Sequence, residues 1–531
     1  MSIQYKVCIL SAGKGLRLGS LTKSLNKALL PINQKAVISH IIEKFPTDIE
    51  IVVAVGYQGE KIREYLSHAH RDRNITIVEV KNFDGPGSGP GLSLLSCKKK
   101  LQCPFIVYTS DTMISEKSLP APSKNWMGVS RVFKNAESFC TVSVEDGLIS
   151  KIVDKEKSDN ELAFIGISGV RDYKIFWKSL ESDTTLIDNE HQISNGLSSL
   201  IDLKYYPEKF TWRDTGTEKN YFETRSIYEN DEDFNFDKIN EFTYFVNKRA
   251  IKYFANQDHI RKRRQRSESL SGLCPDLDIV TKWFFSYTMI KGETLYTVVS
   301  PKTTQNFLVW LEKNLWKESN YVSNERFSQA CQDFYKKKTN DRLSLFYKKY
   351  PKFKNSKMPV NGIDLPRIES LLDSIEWEEL YKGIQSNFHG DLQFDNVLKT
   401  GWGSREVDSF KLLDWRQDFG GLVECGDLYY DLGKLYGGLT LPYSLIKKNK
   451  FFYREDPGKG SQYDFETSHN ISESRSVFER FIQNSPYSFR KVKIIRGLIF
   501  LNMSPLHEAP FDKMLYQISR YYLNQAINED K

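Results

Sequence analysis

Long hydrophobic runs are missing from this chain of 531 residues. No stretch approaches the roughly 18 consecutive apolar residues that a membrane-spanning helix needs. The opening residues, MSIQYKVCIL, have the pattern of a buried strand rather than that of a signal peptide. We therefore expect a cytoplasmic protein that does not insert into a membrane.

Closely spaced cysteines are missing as well. The chain has seven cysteines but no C-x-x-C pair, and disulfide frameworks and zinc sites are recognised by such regular spacing. We therefore expect reduced thiols at all seven positions, which are Cys8, Cys97, Cys103, Cys140, Cys274, Cys331 and Cys425.

The features of a nucleic-acid-binding protein are weak. The net charge is only +7, and the densest basic run is RKRRQR at Arg261–Arg266. No aromatic residues alternate with these charges, and no nucleic-acid-binding motif accompanies them. We expect no nucleic-acid partner. The basic run is interpreted either as one solvated helix face or as positive charge near a cleft that handles phosphates.

Internal repeats and low-complexity segments are also absent. The chain is too long for one hydrophobic core, and its content of 40% hydrophobic and 27% charged residues is typical of globular domains. The segment SIYENDEDFNFDKINEF, at 226–242, is acidic and lacks aliphatic periodicity. It predicts a linker between two domains, at 1–230 and 240–531.

Short apolar runs alternate with helical segments through the first 130 residues. Strands are predicted at Tyr5–Leu10, Ile49–Val55 and Phe105–Tyr108, and a helix at Ala36–Phe45. Because such alternation places helices between neighbouring strands, it predicts an α/β fold with a largely parallel sheet. Residues 131–215 are more strand-like and irregular.

The pattern changes beyond the predicted linker. Two short strands are predicted within Phe242–Phe254, a helix at Asp258–Leu270 with Asp258 as its N-cap, and a strand at Trp283–Ile290. From residue 300 onward the chain is mostly helical. The polar stretch Arg454–Arg475 predicts a surface loop.

A glycine-containing turn follows the first predicted strand, within LSAGKGLRLGSLTKSLNKALLPI. Gly13 and Gly15 allow the backbone to turn sharply and to bring its N–H groups close to a phosphate chain. Arg17 and Lys27 add positive charge at the same rim. With the Leu-Leu-Pro-Ile that follows, this motif resembles the signature of the sugar-phosphate nucleotidyltransferase family, which also includes phosphocholine cytidylyltransferases.

Further motifs of that family follow in its order, and the resemblance spans residues 5–228. Asp111 follows a predicted strand, at the sheet edge where open α/β folds bind ligands. The segment around Lys155 resembles the one in which the family has the lysine that binds the acceptor phosphate. The segment WRDTGT, at 212–217, is similar to the motif that presents a second metal-binding aspartate, which is Asp214 in this chain.

The resemblance implies a Rossmann-like domain with a mixed sheet that transfers a nucleotidyl group. Two carboxylates, Asp111 and Asp214, would hold Mg²⁺ between two reacting phosphate groups. The positive charges of Arg17 and Lys27 would offset the charge on departing pyrophosphate, so no protein nucleophile is needed.

Two positions differ from the family's pattern. Asn26 stands where sugar-specific members usually have a proline. The segment GPGSGPGLSLL, at Gly85–Leu95, lies where the family has a glycine-containing loop at the base, but its prolines are atypical. Within it, Gly89 is the predicted contact to the base. These differences leave the base and the acceptor open, and CTP or UTP is the expected nucleotide.

A second set of motifs lies in SNFHGDLQFDNVL. His389, Asp391 and Asn396 match the HxDxxxxN arrangement of a kinase catalytic loop. In that arrangement the aspartate accepts or orients the proton of the substrate hydroxyl, and the asparagine binds Mg²⁺. Asp414, eighteen residues beyond Asn396, is the expected second metal ligand.

A hairpin is predicted between these acidic groups, at Val397–Leu413, with Gly401 and Gly403 near its middle. Trp415 follows Asp414, and GDLYYDLGKL follows at 426–435. This combination resembles the aminoglycoside phosphotransferase and choline kinase superfamily rather than protein kinases, which carry DFG and APE motifs.

That resemblance implies an α+β domain built like a protein kinase, which uses ATP and Mg²⁺. Asp431 would brace the catalytic loop from a helix. Lys252 is predicted to contact the ATP phosphates, with Lys248 as the alternative. Glu268 is either its helix partner or a solvated residue. No glycine lies between Thr217 and Ser271, so a glycine-rich phosphate loop is missing.

A kinase and a nucleotidyltransferase on one chain suggest consecutive steps. The kinase would phosphorylate a small hydroxyl compound, and the transferase would couple the product to a second nucleotide for surface glycan or lipid biosynthesis. A sugar is the preferred acceptor, because Arg416 beside Asp414 disfavours a cationic one. A choline or amino-alcohol kinase joined to a cytidylyltransferase, and a non-catalytic regulator, remain the alternatives.

Overall fold

The chain divides into two compact units in a computed structural model that describes residues 4–132, 136–229, 240–401, 409–456 and 458–529. The described part of the first unit comprises residues 4–132, 136–229, 240–256 and 279–286. The second comprises residues 257–278 and the described residues from 287 onward. No helix in these ranges combines the length and the apolar character needed to cross a membrane.

A mixed sheet forms the centre of the first unit. Its strand order is β10-β9-β11-β6-β1-β4-β5, and β8 pairs with β11 while β12 pairs with β8. The strands of this part of the chain are β1 (Lys6–Ser11), β2 (Pro31–Ile32), β3 (Lys35–Ala36), β4 (Ile51–Val55), β5 (Ile75–Glu79), β6 (Phe105–Thr109), β7 (Thr112–Ile114), β8 (Trp126–Arg131), β9 (Cys140–Glu145), β10 (Leu148–Asp154), β11 (Leu162–Val170), β12 (Tyr206–Lys209) and β13 (Trp212–Asp214).

The central strands are parallel, as predicted. β1 pairs in parallel with β4 and β6, and β4 with β5, whereas β11 runs antiparallel to β6. The helices between these strands are α1 (Val37–Ile42), α2 (Gly59–Ala69), α3 (Pro90–Ser96), α4 (Tyr173–Ser182), α5 (Ser194–Leu197) and α6 (Glu218–Tyr228). The α/β class and the mixed sheet predicted for the N-terminal part are thus confirmed, although α1 is shorter than the predicted helix.

Alternating apolar residues cover both faces of the sheet. Along β1, Val7 and Ile9 belong to one buried cluster, and Cys8 and Leu10 belong to the other. Successive side chains of a strand point to opposite faces, so a continuous apolar run such as KVCILS requires cover on both sides. The helices supply part of this cover.

A second, four-stranded sheet supplies the rest of one face. Its strands are β14 (Glu241–Val246), β15 (Arg249–Phe254), β16 (Ile279–Val280) and β17 (Phe284–Thr288), in the order β14-β15-β17-β16. Tyr244, Ile251 and Phe284 are fully buried in the same cluster as Val7 and Ile9. The two strands predicted within Phe242–Phe254 are confirmed, and they pack in the first unit, although their sequence position follows the predicted linker.

The described residues of the second unit are mostly helical. Its elements are α7 (Gln257–Ser269), β18 (Glu293–Thr294), α8 (Pro301–Asn314), α9 (Asn324–Gln332), α10 (Lys338–Lys349), α11 (Ile368–Asp373), α12 (Trp377–Tyr381), β19 (Gln385–Ser386), β20 (Val397–Thr400), β21 (Ser409–Leu412), β22 (Gly426–Asp427), α13 (Leu428–Thr440), α14 (Tyr443–Lys447), β23 (Phe451–Asp456), β24 (Gly460–Phe465), α15 (His469–Gln483), α16 (Phe489–Met503) and α17 (Phe511–Asn528). One π-helical turn, Asp333–Lys337, joins α9 to α10.

Two local predictions need correction. The predicted surface loop at Arg454–Arg475 is wrong, because this stretch contributes to the β23–β24 hairpin and to α15. Its polar residues alternate with half-buried aromatic ones, a pattern that a two-stranded ribbon with one solvated face produces. Asp258 is not an N-cap, because α7 begins one residue earlier. Most of the predicted linker, like Gly403, lies outside the described residues.

Replacing Tyr244 with alanine should destabilise the first unit by about 3–5 kcal/mol, because a large buried side chain is lost. Its ring meets Tyr65 edge-on at 5.0 Å, and its hydroxyl donates to the Leu29 carbonyl at 2.8 Å. Urea denaturation and hydrogen exchange of α2 amides would measure the loss. The control is Phe245→Ala, whose side chain is 37% exposed. Equal losses for both variants would contradict the packing described.

Candidate active sites

A buried asparagine shapes the turn after β1. The Asn26 side chain is fully buried, and its Nδ2 donates to the carbonyls of Ser11 at 3.0 Å and Tyr57 at 2.7 Å. Its Oδ1 accepts from the Ala28 backbone N–H at 2.9 Å. Gly15 adopts a left-handed conformation, with φ of 65°. The asparagine noted as a departure in the sequence therefore holds the phosphate-loop candidate in place.

A short ribbon places Asp111 and Asp214 side by side. β7 and β13 pair antiparallel with Thr112 opposite Asp214, and the Thr215 backbone N–H donates to the Asp111 carbonyl at 2.8 Å. Both aspartates therefore lie at the same end of this ribbon. Backbone pairing thus brings together two aspartates that lie far apart in the sequence.

Gly216 marks the point where charged groups converge. A Cβ at this position would lie 3.0 Å from Asp214 Oδ1, 3.2 Å from an Arg17 guanidinium nitrogen and 3.5 Å from Asp111 Oδ2. Lys27 Nζ lies 2.7 Å from Asp111 Oδ2. Four of the predicted site residues are thus brought together, and the missing side chain of Gly216 leaves room between them.

The pKa shifts of the two aspartates reflect this convergence. Burial raises the pKa of Asp111, but the charge and hydrogen bond of Lys27 outweigh it and lower the pKa to about 2. Burial and then the negative charge of Asp111 raise the pKa of Asp214. A cation between the carboxylates would relieve their repulsion.

The donor set fits Mg²⁺. This ion prefers oxygen ligands and is commonly held by one or two carboxylates together with substrate phosphates. Among the described residues, no group of three or more His, Cys, Asp or Glu side chains forms a complete metal cage. Asn220, which sequence reasoning missed, donates to Asp214 Oδ2 from the first turn of α6. The position of Asn220 shortly after the WRDTGT motif is the sequence signal that could have identified it.

Gly89 and Lys155 meet at a different tight turn. Asp188 and Asn189 are both left-handed, with φ of 53° and 62°. Lys155 Nζ lies 3.0 Å from Asp188 Oδ2. A Cβ on Gly89 would lie 2.8 Å from the His191 carbonyl oxygen, and its φ of 121° also favours glycine. The roles predicted for both residues stay predictions, and the structure gives Gly89 a steric reason to be glycine.

Lys252 lies on β15 of the first unit. Its side chain is largely buried, and Nζ donates to Thr243 Oγ1 at 2.8 Å on the paired strand. Lys248, the alternative, lies in the tight turn between β14 and β15, with φ of 59°. Glu268 lies on α7 and is exposed.

Asp431 braces the loop that contains His389 and Asp391, as predicted. Its two carboxylate oxygens accept from the backbone N–H groups of His389 and Gly390, both at 2.7 Å. His389 Nε2 pairs with the Leu413 carbonyl at 2.7 Å, and its Nδ1 accepts from the Asp391 N–H at 3.2 Å. Burial lowers the pKa of His389 to about 4. This histidine is therefore neutral and positions the loop.

The hairpin of β20 and β21 brings Asn396 next to Asp414. Val397 pairs with Leu412, and the Leu413 N–H donates to the Asn396 carbonyl at 2.7 Å. Asn396 Nδ2 donates to the Asp391 carbonyl at 2.9 Å, so its amide oxygen is the atom available to a cation. Asp414 is left-handed, with φ of 56°. The amide oxygen and the carboxylate fit Mg²⁺.

Arg266 holds the same loop from α7. Its side chain is 1% exposed, and the guanidinium donates to the carbonyls of Phe388, His389 and Arg416. It also stacks 3.9 Å from the Phe388 ring. The interpretation of Arg261–Arg266 as one solvated face is therefore wrong at Arg266. A single buried arginine within a basic run has no distinguishing sequence signal.

Sequence reasoning also missed Lys434. Its Nζ lies 2.7 Å from Asp391 Oδ1, and its side chain is 12% exposed. Lys434 follows Asp431 by three residues on α13, so both face the same loop. The spacing of these two residues in GDLYYDLGK is the sequence signal that could have identified Lys434.

Known proteins resemble the first part of the chain. Residues 7–116 match the family model described as the MobA-like NTP transferase domain. The bifunctional protein GlmU of Methanococcus maripaludis is 30% identical over 39% of this chain and 50% of its own length. The chain thus spans about half of that relative.

Two further similarities cover the same region. The probable glucose-1-phosphate cytidylyltransferase of Bacillus subtilis is 25% identical over 42% of this chain and 96% of its own length. A crystal structure of UDP-glucose pyrophosphorylase complexed with UDP-glucose is 19% identical, with a TM-score of 0.37, and covers 42% of this chain and 98% of its own.

Replacing Arg266 with methionine should destabilise the second unit by about 3–5 kcal/mol, because three buried carbonyls lose a charged donor. The matched control is Arg264→Met, since Arg264 lies two residues away in the same run and is exposed. Thermal unfolding would measure both variants. If both variants shift the unfolding transition by the same amount, Arg266 does not support the loop.

Proposed function

We propose that the chain is a bifunctional enzyme. The second unit phosphorylates a small hydroxyl compound with ATP, and the first unit couples the phosphate ester to a nucleoside triphosphate. The observation that carries the first activity is the convergence of Arg17, Asp111 and Asp214 on the space beside Gly216. The match to an NTP transferase domain over residues 7–116 supports it.

The first reaction joins two phosphates. An oxygen of the acceptor phosphate attacks the α-phosphorus of the nucleotide, the bond from that phosphorus to the bridging oxygen breaks, and pyrophosphate leaves. Arg17 and Lys27 balance the negative charge that gathers on the departing group. Asp111 and Asp214 would hold Mg²⁺, which supplies charge neutralisation between the reacting phosphates.

Lys27 has two competing anionic partners in this proposal. Its ammonium contacts Asp111 at 2.7 Å, and a bound triphosphate offers it stronger negative charge. The triphosphate would therefore compete with Asp111 for the Lys27 ammonium. Binding of the nucleotide and rearrangement of this lysine are therefore coupled.

The second reaction needs a base and a leaving group. The acceptor hydroxyl oxygen attacks the γ-phosphorus of ATP, the bond between that phosphorus and the bridging oxygen breaks, and ADP leaves. Asp391 takes the hydroxyl proton and passes it to solvent. Lys434 pairs with this carboxylate at 2.7 Å and orients it. Asn396 and Asp414 would hold Mg²⁺ on the ATP phosphates.

A sugar phosphate is the proposed acceptor of the first unit, and CTP or UTP is the proposed nucleotide. The name of one relative supports this choice, because it is a probable glucose-1-phosphate cytidylyltransferase. The first unit needs an acceptor that already has a phosphate, and the second unit makes one. Phosphorylation therefore precedes coupling.

Asp111→Asn and Asp214→Asn should each lower pyrophosphate release by roughly 100- to 1,000-fold, because charge stabilisation between the phosphates is lost. ADP formation by the second unit should persist. Enzyme-coupled assays of both products would measure the effect, with nucleotides and sugar phosphates first screened by phosphorus NMR. The control is the exposed Asp202→Asn. Full pyrophosphate release by both site variants would refute the two-carboxylate site.

Asp391→Asn should lower acceptor-dependent ADP formation by roughly 100- to 10,000-fold, the usual value of a positioned base. Pyrophosphate release from a supplied phosphate ester should be unchanged. The matched control is Asp395→Asn in the same loop, whose carboxylate pairs with Lys447 at 3.1 Å. An unaltered phosphorylation rate in Asp391→Asn would remove this residue from its proposed role.

A further inference from the structure

A basic cleft lies in the second unit beside the loop of the proposed base. The π-helical turn and the first turns of α10 line an open cavity of about 500 Å³. Lys337, Lys338 and Arg342 supply its positive charge, and Asp333 and Asp341 its negative charge. The balance of positive and negative side chains in this cleft therefore determines the charge of the ligand that it can bind.

The charges of this cleft are not balanced. Lys337 Nζ pairs with Asp341 at 3.0 Å. In the described part of the chain, neither the Lys338 ammonium nor the Arg342 guanidinium forms an ion pair or a side-chain hydrogen bond. Lys338 Nζ instead lies over aromatic rings, 3.8 Å from the centre of Phe334 and 5.5 Å from that of Tyr430. Two cations are thus left without an anionic partner.

Further cations extend this group to Asp391. The Arg416 guanidinium lies 4.9 Å from the centre of the Phe334 ring, which Lys338 also contacts. The Arg416 side chain packs against Gly390, where a Cβ would lie only 2.6 Å from that of Arg416. Lys434 contacts Asp391 itself at 2.7 Å. We call Lys338, Arg342, Arg416 and Lys434 the basic cluster.

The pKa of Lys338 reflects this crowding. Burial and then the positive charges of Arg416, Lys434 and Arg342 lower its pKa well below the ordinary value, and only Asp391 opposes them. Burial and Arg416 also lower the pKa of Arg342. Like charges held together without counter-ions are a binding site for an anion that brings the missing charge.

We propose that the hydroxyl compound phosphorylated beside Asp391 has an anionic group, a carboxylate or a phosphate ester, which Lys338, Arg342 and Arg416 hold. This inference rests on the proposed kinase function of the second unit. The hydroxyl of the same molecule gives its proton to Asp391 and takes the γ-phosphoryl group of ATP, and ADP leaves. Choline and other cationic alcohols are excluded as substrates by the same charges.

Matched acceptors test the proposal on the full chain. One series is glucose, glucuronate and glucose 6-phosphate; another is glycerol, glycerate and glycerol 3-phosphate; choline is added as a cation. In at least one series, an anionic member should have a kcat/KM for ADP formation at least about 10-fold above its neutral partner. The preference between carboxylate and phosphate distinguishes the two forms of the anionic group.

Substitutions in the basic cluster test whether its residues cause the preference for an anionic acceptor. Lys338→Gln and Arg342→Gln should each raise the KM of the anionic acceptor by roughly 10- to 100-fold, the value of a hydrogen bond to a charged group. The matched control is Lys348→Gln, which removes an exposed lysine of the same helix.

A neutral or cationic acceptor that matches the best anionic one, or glutamine variants with unaltered KM, would overturn the proposal. If no acceptor supports ADP formation, the kinase function fails, and binding decides the anion site separately. Isothermal titration with glucose 6-phosphate, glucuronate and inorganic phosphate would then compare the parent chain with Lys338→Gln and Arg342→Gln. Binding that both variants weaken supports the site, and binding that is absent or unaltered overturns it.

Discussion

Two oppositely charged buried side chains hold the backbone of the loop at His389–Asp391. Arg266 donates to carbonyl groups of this segment, and Asp431 accepts from its N–H groups. Burial lowers the pKa of Arg266 to about 10 and raises that of Asp431 to about 6, and each charge favours the other. A buried charge is stable only when it is paired and hydrogen-bonded, so the loop and its two supports form one interdependent unit.

The same device recurs in the first unit with an uncharged group. Asn26 uses its amide to satisfy backbone carbonyls of the turn after β1 and of the segment after β4. Asp111 and Asp214 then meet through the pairing of β7 with β13. In both units, backbone hydrogen bonds help to position the acidic residues.

Positive charge is distributed differently around the two pairs of acidic groups. In the first unit, Lys27 contacts Asp111 directly, and Arg17 lies beside Gly216. In the second, Lys434 contacts Asp391, while Lys338 and Arg342 line the neighbouring cleft. An acceptor that already has an anionic group would gain a phosphate in the second unit before it is released. Such a highly charged product suits the cations and the Mg²⁺ ligands proposed for the first unit.

Local features of this protein follow from its sequence alone. The positions of the individual buried strands, the glycine turn at Gly13–Gly15 and the hairpin between Asn396 and Asp414 depend on residues close together in the chain, so periodicity and spacing predict them. Tertiary structure alone decided that β14 and β15 pack in the first unit, that Arg266 is buried and that Lys434 contacts Asp391. A lysine or arginine on a helix has the same local pattern whether it is solvated or paired. Its partner is selected by packing between residues far apart in the chain, and no local pattern encodes that choice.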